Sequence, residues 1–203
     1  MTKRAQLDQQ FPVLVLAAGR SLRMGRCKQV LNLPGRGTLL GNAIRQARVL
    51  SGNVMVIVGA GYPLVRYRCT CEPSRWLYCS EWEQGLSASL VAGINAAGPK
   101  ARGVYVVLGD QPLVTGEGLL ELARCVRSEP KLAWAADYGN RAGVPAWIPR
   151  ELWPEVRGLD GDAGAGSVLN GVGANRVDIP GVKLDADTPV DWLRIKRLLA
   201  EQA

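Results

Sequence analysis

Residues 13–28 read VLVLAAGRSLRMGRCK, an apolar run that passes directly into a basic segment with two glycines. The run Val13–Ala17 is continuous rather than alternating, which is typical of a strand buried on both faces of a parallel sheet. Gly19 and Gly25 then predict a loop at the carboxyl end of that strand. In open α/β sheets the ligand binds at this edge, so the segment predicts both a fold class and the place of a site.

The same pattern recurs along the chain. Val54–Val58 and Val104–Leu108 are two further apolar runs that end in glycine, and amphipathic stretches of helical length follow them. Such alternation predicts an α/β fold: a mainly parallel sheet in a Rossmann-like three-layer α/β/α arrangement. Helices are predicted over residues 38–50, 87–97, 115–127 and 189–201, and shorter strands over 76–79, 132–136 and 177–179. Residues 139–173 are rich in glycine, proline and tryptophan, and they predict irregular structure with one short helix over 163–169.

Length and composition are those of an ordinary globular protein. The 203 residues contain no linker-like stretch, so one domain over residues 1–203 is expected. The five cysteines are odd in number and irregularly spaced, which argues against a disulfide framework and for a reducing compartment. Cys69, Cys71 and Cys79 do not form a usual four-ligand zinc pattern. The run Val13–Ala18 is too short for a signal peptide, and no run is long enough to cross a membrane, so a cytoplasmic protein is expected.

The charge of the chain points to a phosphate-rich small substrate. The net charge is +7, from 25 Lys and Arg against 18 Asp and Glu. The basic residues are scattered rather than gathered in a long run, which argues against nucleic acid as a partner. Their one tight cluster, Arg20, Arg23, Arg26 and Lys28, lies in the first loop. This loop is neither a P-loop nor a G-x-G-x-x-G motif, but small residues at a strand end let backbone N–H groups approach phosphate oxygens.

Arg23 and Lys28 can neutralise a triphosphate in that loop, the arginine as a two-pronged donor and the lysine as a point charge. A basic surface loop with turn glycines is the alternative explanation. A second signal is Asp110, directly after the third apolar run, where a carboxylate suits Mg²⁺ bound together with substrate phosphates. An Asx turn before Gln111 and Pro112 is the alternative there.

Two more segments carry candidate residues. Asp185 and Asp187 precede the last predicted helix, and either Asp187 or Thr188 could simply cap it. If that helix start faces the cleft, Asp187 is a second metal ligand. The stretch Gly85–Leu90 contains Ser87 and Ser89 at a helix start, which can hold an anion or contact a base edge. An N-cap over buried leucines is the alternative.

Together these segments resemble the molybdenum-cofactor nucleotidyltransferases of the MobA-like NTP-transferase family, most closely the cytidylyltransferase branch. The resemblance covers residues 11–199. The matching motifs are LAAGRSLRMGRCK (16–28), GLSASL (85–90), GDQP (109–112) and DADTP (185–189).

The resemblance implies the fold of the nucleotide-diphospho-sugar transferases and transfer of CMP from CTP to the phosphate of molybdopterin. It implies Mg²⁺ as cofactor, and it leaves a molybdoenzyme or its maturation factor as a possible partner. Residues 11–115 would form mainly the nucleotide-binding half and residues 116–203 mainly the acceptor half. The implied nucleotide-binding residues are Leu16, Ala17, Ala18, Gly19, Arg20, Ser21, Arg23, Lys28, Gly85, Ser87 and Ser89. Arg23, Lys28 and Asp110 would be catalytic, and Asp110 and Asp187 would bind the metal.

Three positions differ from the family pattern. Cys27 stands where Asn or Asp is common, Gly143–Pro145 reads GVP instead of GHP, and Gly161–Gly166 ends in glycine instead of arginine. The last two lie on the expected acceptor side, so a cytidylyl-, uridylyl- or guanylyltransferase that acts on another phosphorylated acceptor stays open. A carrier of a nucleotide-bearing cofactor, without turnover, is the non-enzymatic alternative.

Overall fold

A seven-stranded sheet forms the centre of the protein, whose computed structural model describes residues 3–201. Residues 1, 2, 202 and 203 of the predicted domain lie outside the described residues. The strands are β1 (Val13–Ala17), β2 (Asn32–Leu33), β3 (Gly37–Thr38), β4 (Val54–Val58), β5 (Arg75–Tyr78), β6 (Gly103–Leu108), β7 (Trp134–Asp137), β8 (Ala142–Pro149) and β9 (Asn175–Val177). The α-helices are α1 (Lys3–Gln10), α2 (Leu39–Leu50), α3 (Leu64–Arg68), α4 (Leu86–Ala96), α5 (Gly116–Ser128), α6 (Trp153–Arg157), α7 (Ala165–Gly171) and α8 (Pro189–Ala200).

The strand order of the sheet is β5-β4-β1-β6-β8-β7-β9, while β2 and β3 pair as a separate hairpin. β1 lies parallel to β4 and β6, β4 is parallel to β5, and β7 is parallel to β9. From β1 the chain continues to β4 and β5 on one side and then returns to β6 on the other. The strand order therefore reverses between β1 and β6, which makes their carboxyl ends a topological switch point.

Helices cover both faces of the sheet, and β1 is buried between them. Alternate side chains of β1 enter opposite layers: Val13 and Val15 belong to the core under α2 and α5, and Leu14 and Leu16 to the core under α4, α6 and α7. All five residues of the strand are buried, and burial of each valine or leucine contributes about 1.5–3 kcal/mol. This two-sided burial explains the continuous apolar run, and it confirms the predicted three-layer α/β/α architecture.

The predicted irregular structure over residues 139–173 is wrong for β8, an inner strand antiparallel to β6 and β7. Its pattern is disguised by a register shift opposite Ala135/Ala136, and Val144 and Pro145 have no registered partner at that bulge. Proline is tolerated at such a position because no ladder N–H is required there. Trp147 is fully buried and stacks 4.8 Å from Tyr105, centroid to centroid, so it fills the core.

The predicted helices and remaining strands are found within about two residues of their expected ends, which is the usual uncertainty of helix boundaries. The predicted short helix corresponds to α7. α1, α3, α6 and the β2–β3 hairpin were not predicted; the three helices have five to eight residues and the two strands have two each, too few to show a clear period.

α8 brings the last carboxylates of the chain next to the first loop. Its buried face, with Trp192 and Ile195, packs against Met24 of that loop and Leu33 of the hairpin. Thr188 caps the helix in a capping box with Asp191, whose N–H and carboxylate both bond to it. Asp187, the residue just before the cap, is thereby held at the edge of the sheet.

Candidate functional site

A cleft of about 620 Å³ opens at the carboxyl ends of β1 and β6. The first loop forms one wall, the start of α4 another, and the segments around Asp110 and Asp187 its floor. Its lining residues are Leu16, Ala17, Ala18, Gly19, Arg20, Arg23, Lys28, Gln29, Trp82, Glu83, Gly85, Leu86, Ser89, Leu108, Gly109, Asp110, Asp162, Asp185 and Asp187. The site thus lies at the switch point, where the sequence predicted it.

Lys28 lies between two carboxylates at the floor of the cleft. Its Nζ is 2.5 Å from Asp110 Oδ2 and 2.8 Å from Asp187 Oδ1. Arg23 donates to the other oxygen of Asp187, at 2.8 Å. The side chains of Lys28 and Asp110 are 15% and 16% exposed, so these charges interact more strongly than a surface ion pair would.

The pKa values of these groups follow from burial and their neighbours. Burial disfavours the charge on Lys28, but Asp110 and Asp187 outweigh it, and the pKa of Lys28 is raised. Burial opposes the charge on Asp187 as well, yet the bonds from Lys28 and Arg23 bring its pKa below the usual value. Burial and the negative charge of Asp110 raise the pKa of Asp185 to about 6.

Gln111 holds the Asp185 segment in place. Its Nε2 lies 3.0 Å from Asp185 Oδ1, 3.0 Å from the Val182 carbonyl and 2.9 Å from Tyr138 Oη. The backbone N–H of Ala186 also donates to the Asp110 carbonyl, at 2.8 Å. The two acidic segments are therefore joined by hydrogen bonds as well as by Lys28.

The Asx-turn and N-cap alternatives can now be compared with the geometry. The Asp110 side chain pairs with Lys28, and it is Thr188, not Asp187, that caps α8. Asp187 points to the two cations of the first loop instead. The residues predicted to bind metal are thus adjacent in space, although about 80 positions separate them in the chain.

The mouth of the cleft carries an aromatic and charged group. The Arg20 guanidinium lies over the Trp82 ring, 4.8 Å from its centroid, and pairs with Glu83. Trp82 packs against Gly59, where a Cβ would come within 2.4 Å of the indole. A cation over an aromatic face contributes roughly 0.5–1 kcal/mol at an exposed site.

Two predicted nucleotide-binding residues do not line the cleft. Ser87 is buried, and its hydroxyl and N–H both donate to the Gly161 carbonyl, at 2.8 Å and 3.1 Å. Ser21 faces a smaller cavity on the other side of the first loop. The other predicted residues, the nine remaining nucleotide-binding ones with Asp110 and Asp187, all line the cleft.

Sequence reasoning missed Gln29, Trp82, Glu83 and Asp162 as lining residues. Gln29 follows Lys28 directly, and a polar residue between Lys28 and Val30 gave no signal of burial. Trp82 and Glu83 precede the predicted segment at Gly85 by two or three positions, so their proximity to that motif was the available signal.

The donor set of the floor suits a hard divalent cation. Asp110 Oδ1 is buried and, within residues 3–201, accepts no hydrogen bond. Asp110 Oδ2 and Asp187 Oδ1 already share one positive charge, the Lys28 ammonium. Two carboxylates with water and phosphate oxygens are the usual environment of Mg²⁺. Over the described chain no cluster of three or more His, Cys, Asp or Glu gathers as a ligand set, Cys69, Cys71 and Cys79 included.

A glycine-containing loop, a cation pair and two carboxylates surround this cleft, an arrangement typical of the class of α/β proteins that bind a ligand at the switch point of the sheet. The model of the MobA-like NTP transferase domain matches residues 13–178. The chain belongs to that family, as the sequence motifs predicted.

Two relatives and two solved structures of one protein are similar to this chain. The chain is 34% identical over 164 residues to nicotine blue oxidoreductase of Paenarthrobacter nicotinovorans, covering 75% of this chain and 78% of the relative. It is 28% identical over 211 residues to purine catabolism protein PucB of Bacillus subtilis, covering 91% and 95%. The crystal structure of Rv0371c from Mycobacterium tuberculosis superposes with a TM-score of 0.81 at 28% identity, covering 93% and 98%. The same protein in complex with manganese gives a TM-score of 0.74 at 25% identity, covering 93% and 98%. The fold is that of the nucleotide-diphospho-sugar transferases, as predicted.

Within the part of the chain that the structure covers, no helix combines the length and apolar character that a membrane crossing requires.

Proposed function

We propose that the protein transfers a CMP group from CTP to the phosphate of molybdopterin and releases pyrophosphate. The observation that carries the proposal is the Lys28 ammonium between Asp110 and Asp187, 2.5 Å and 2.8 Å away, beside a glycine loop at the switch point. A triphosphate needs cations and backbone N–H groups for its phosphates, and a divalent metal needs carboxylates. The cleft offers both within one cavity.

Mg²⁺ is the cofactor that this donor set favours, held by Asp110 and Asp187. When bound there, it would neutralise negative charge on the phosphates. Crystals of Rv0371c with manganese support a divalent-metal site in this family. Lys28 and Arg23 exchange their carboxylate partners for phosphate oxygens when the metal triphosphate enters.

The reaction is an in-line displacement at the α-phosphorus. An oxygen of the acceptor phosphate forms the new bond, the bond to the β-bridging oxygen breaks, and pyrophosphate leaves with that electron pair. The acceptor phosphate is already ionised at neutral pH, so no side chain has to remove a proton. The chain contributes orientation through the first loop and charge through Lys28 and Arg23.

CTP and molybdopterin are inferred from motifs. The opening Leu16–Gly19, LAAG, resembles the branch that uses CTP. Asp162, from the 116–203 half, reaches the same cleft, which supports an acceptor bound on that side. A different phosphorylated acceptor would use the same nucleotide-binding half of the chain. We also propose that the product is delivered to a cytoplasmic molybdoenzyme.

Equilibrium binding of CTP, GTP, ATP and UTP with Mg²⁺ tests the proposal. CTP should bind most tightly, and Asp110→Asn should weaken the binding by roughly tenfold or more and abolish pyrophosphate release with a pterin phosphate acceptor. Asp162→Asn is the matched control for CTP binding, because it removes a carboxylate from the same cleft but neither of the two proposed metal ligands. A preference for GTP would replace CTP as the proposed substrate. Wild-type turnover in Asp110→Asn would exclude Asp110 as a metal ligand. Binding of CTP without turnover would favour a cofactor carrier.

The similarity to nicotine blue oxidoreductase favours a second candidate, an oxidoreductase activity. The same loop would then hold a nucleotide cofactor, with Trp82 beside it. Oxidation of a reduced nicotinamide nucleotide by a dye acceptor, followed at the nicotinamide absorbance, distinguishes the two. Metal-independent nicotinamide oxidation would support the redox candidate, and metal-dependent pyrophosphate release would support transfer.

A further inference from the structure

Gln29 is a buried amide behind the first loop. It lies in the short 3₁₀ helix Lys28–Val30 and is only 3% exposed. It borders the cleft on one side and, on the other, the smaller cavity of about 310 Å³ next to Ala60 and Gly61. The side chain therefore stands in the wall between the two cavities.

Both ends of the amide are fully engaged with the loop. Its Nε2 donates to the carbonyls of Ala17 and Gly19, each at 3.0 Å. Its Oε1 accepts from the hydroxyl of Ser21 and the thiol of Cys27, each at 3.2 Å. A primary amide has two donor hydrogens and two acceptor lone pairs. Gln29 uses all four to join the start of the loop to its end.

These bonds determine which way the loop backbone faces. The peptide bonds here are trans, so each N–H points opposite to the preceding carbonyl. Because the carbonyls of Ala17 and Gly19 point at Gln29, the N–H groups of Ala18 and Arg20 point away from it. The carbonyl oxygens, which would repel phosphate, thus face Gln29. The N–H groups, which can bind phosphate, face away from Gln29.

The amide also supports a strained residue. Ser21 has φ 58° and ψ 37°, a left-handed conformation that costs a non-glycine residue about 1 kcal/mol or more. Its hydroxyl bonds to Gln29 and accepts from the Lys28 N–H at 3.3 Å. Such a conformation persists where the surroundings hold it, and Gln29 supplies that hold.

We propose that Gln29 is the positioning residue for the triphosphate: it sets the loop so that the Ala18 and Arg20 N–H groups, and the neighbouring Lys28, are presented to the phosphates. The inference rests on the nucleotide role proposed above. Gln29 itself does not touch the reacting atoms.

The test compares Gln29→Met, which keeps length but loses all four bonds, with Ser51→Ala. Ser51 is a second buried polar residue, bonded to Asp8 at the opposite end of α2. Both variants should lower the unfolding temperature, but only Gln29→Met should raise the Kd and KM for CTP·Mg²⁺, by roughly tenfold, while kcat changes less. An unchanged Kd in folded Gln29→Met would overturn the inference.

Amide NMR of the wild type is the second measurement, since it needs no variant to fold. The Ala18 and Arg20 amide signals should shift when CTP·Mg²⁺ binds. CTP binding that leaves both signals unmoved would overturn the role of Gln29 alone. A wild type that binds no triphosphate at all would instead overturn the proposed function and this inference together.

Discussion

Lys28 occupies the position between Asp110 and Asp187 that the proposed metal would share. The three side chains are drawn together by 2.5 Å and 2.8 Å contacts in a setting where burial weakens solvent screening. A divalent cation entering without nucleotide must compete with the ammonium. A metal triphosphate does not, because it offers the ammonium new oxygen partners at the same time.

Lys28→Met should therefore have opposite effects on two ligands. Without nucleotide, Mn²⁺ should bind the variant more tightly than the wild type, by roughly tenfold, because a competing unit charge is gone. The KM for CTP should rise, because a phosphate partner is lost. Electron paramagnetic resonance of free Mn²⁺ measures the first effect and initial rates the second.

Arg23→Met is the matched control for Lys28→Met. Of the two proposed ligands Arg23 pairs with Asp187 and not with Asp110, and its side chain is 72% exposed, so the Mn²⁺ affinity should change much less. Equal Mn²⁺ affinity in the wild type and Lys28→Met would contradict the competition between ammonium and metal.

Single residues of the site were predictable where they follow a strong strand. Asp110 and Lys28 stood out because a carboxylate and a basic cluster end apolar runs. Gln29 and Gln111 could not be found in this way, since an amide carries no charge and its hydrogen bonds depend on how the chain folds around it. The partners of Gln111, for instance, lie at Tyr138, Val182 and Asp185.

At the scale of secondary-structure elements, the N-terminus of α8 affects the geometry of the site. Thr188 caps the helix and directly follows Asp187, so the capping box sets the direction from which that carboxylate meets Lys28. Thr115 caps α5 by accepting from the Gly118 N–H, and it lies five residues after Asp110 rather than directly beside a proposed ligand.

Thr188→Ala and Thr115→Ala should each lower the free energy of unfolding by about 1 kcal/mol, the usual effect of a lost N-cap. Only Thr188→Ala should also raise the KM for metal triphosphate, because only that cap adjoins a proposed ligand. Urea unfolding and initial rates measure the two quantities. The link between cap and site would be refuted if both variants kept the wild-type KM.

Elements with an uninterrupted hydrophobic pattern were predicted from the sequence, and β8 was not. β1, β4 and β6 are continuous apolar runs because helices cover both of their faces. β8 contains Gly143, Pro145 and a bulge, and its position between β6 and β7 depends on pairing that no local pattern encodes. Its strand character is set by tertiary contacts.

At the scale of the whole molecule, ligand binding should appear as thermal stabilisation. A ligand at 100 times its Kd adds about 2.7 kcal/mol to the stability of the folded state. For a chain of this size that corresponds to a rise in Tm of roughly 5–10 °C. The rise should require CTP and Mg²⁺ together, because Mg²⁺ alone has to compete with the Lys28 ammonium and CTP alone would meet the Asp110 and Asp187 carboxylates without the metal.

Differential scanning calorimetry with CTP alone, Mg²⁺ alone and both together measures this rise. Asp110→Asn serves as the control and should lose the combined effect. A full rise with CTP alone in the presence of a chelator would contradict metal-dependent binding.

The reversed direction of β8 determines which later part of the chain reaches the cleft. Because Val106 pairs with Ala146, the strand enters the sheet at the end of β6 from which Asp110 follows, so residues 142–145 begin beside the cleft edge. Residues from both parts of the chain thus border one cleft edge. A change of side chain in residues 142–145 would alter that edge on the far side of β6 from β1, and it would leave the first loop as it is.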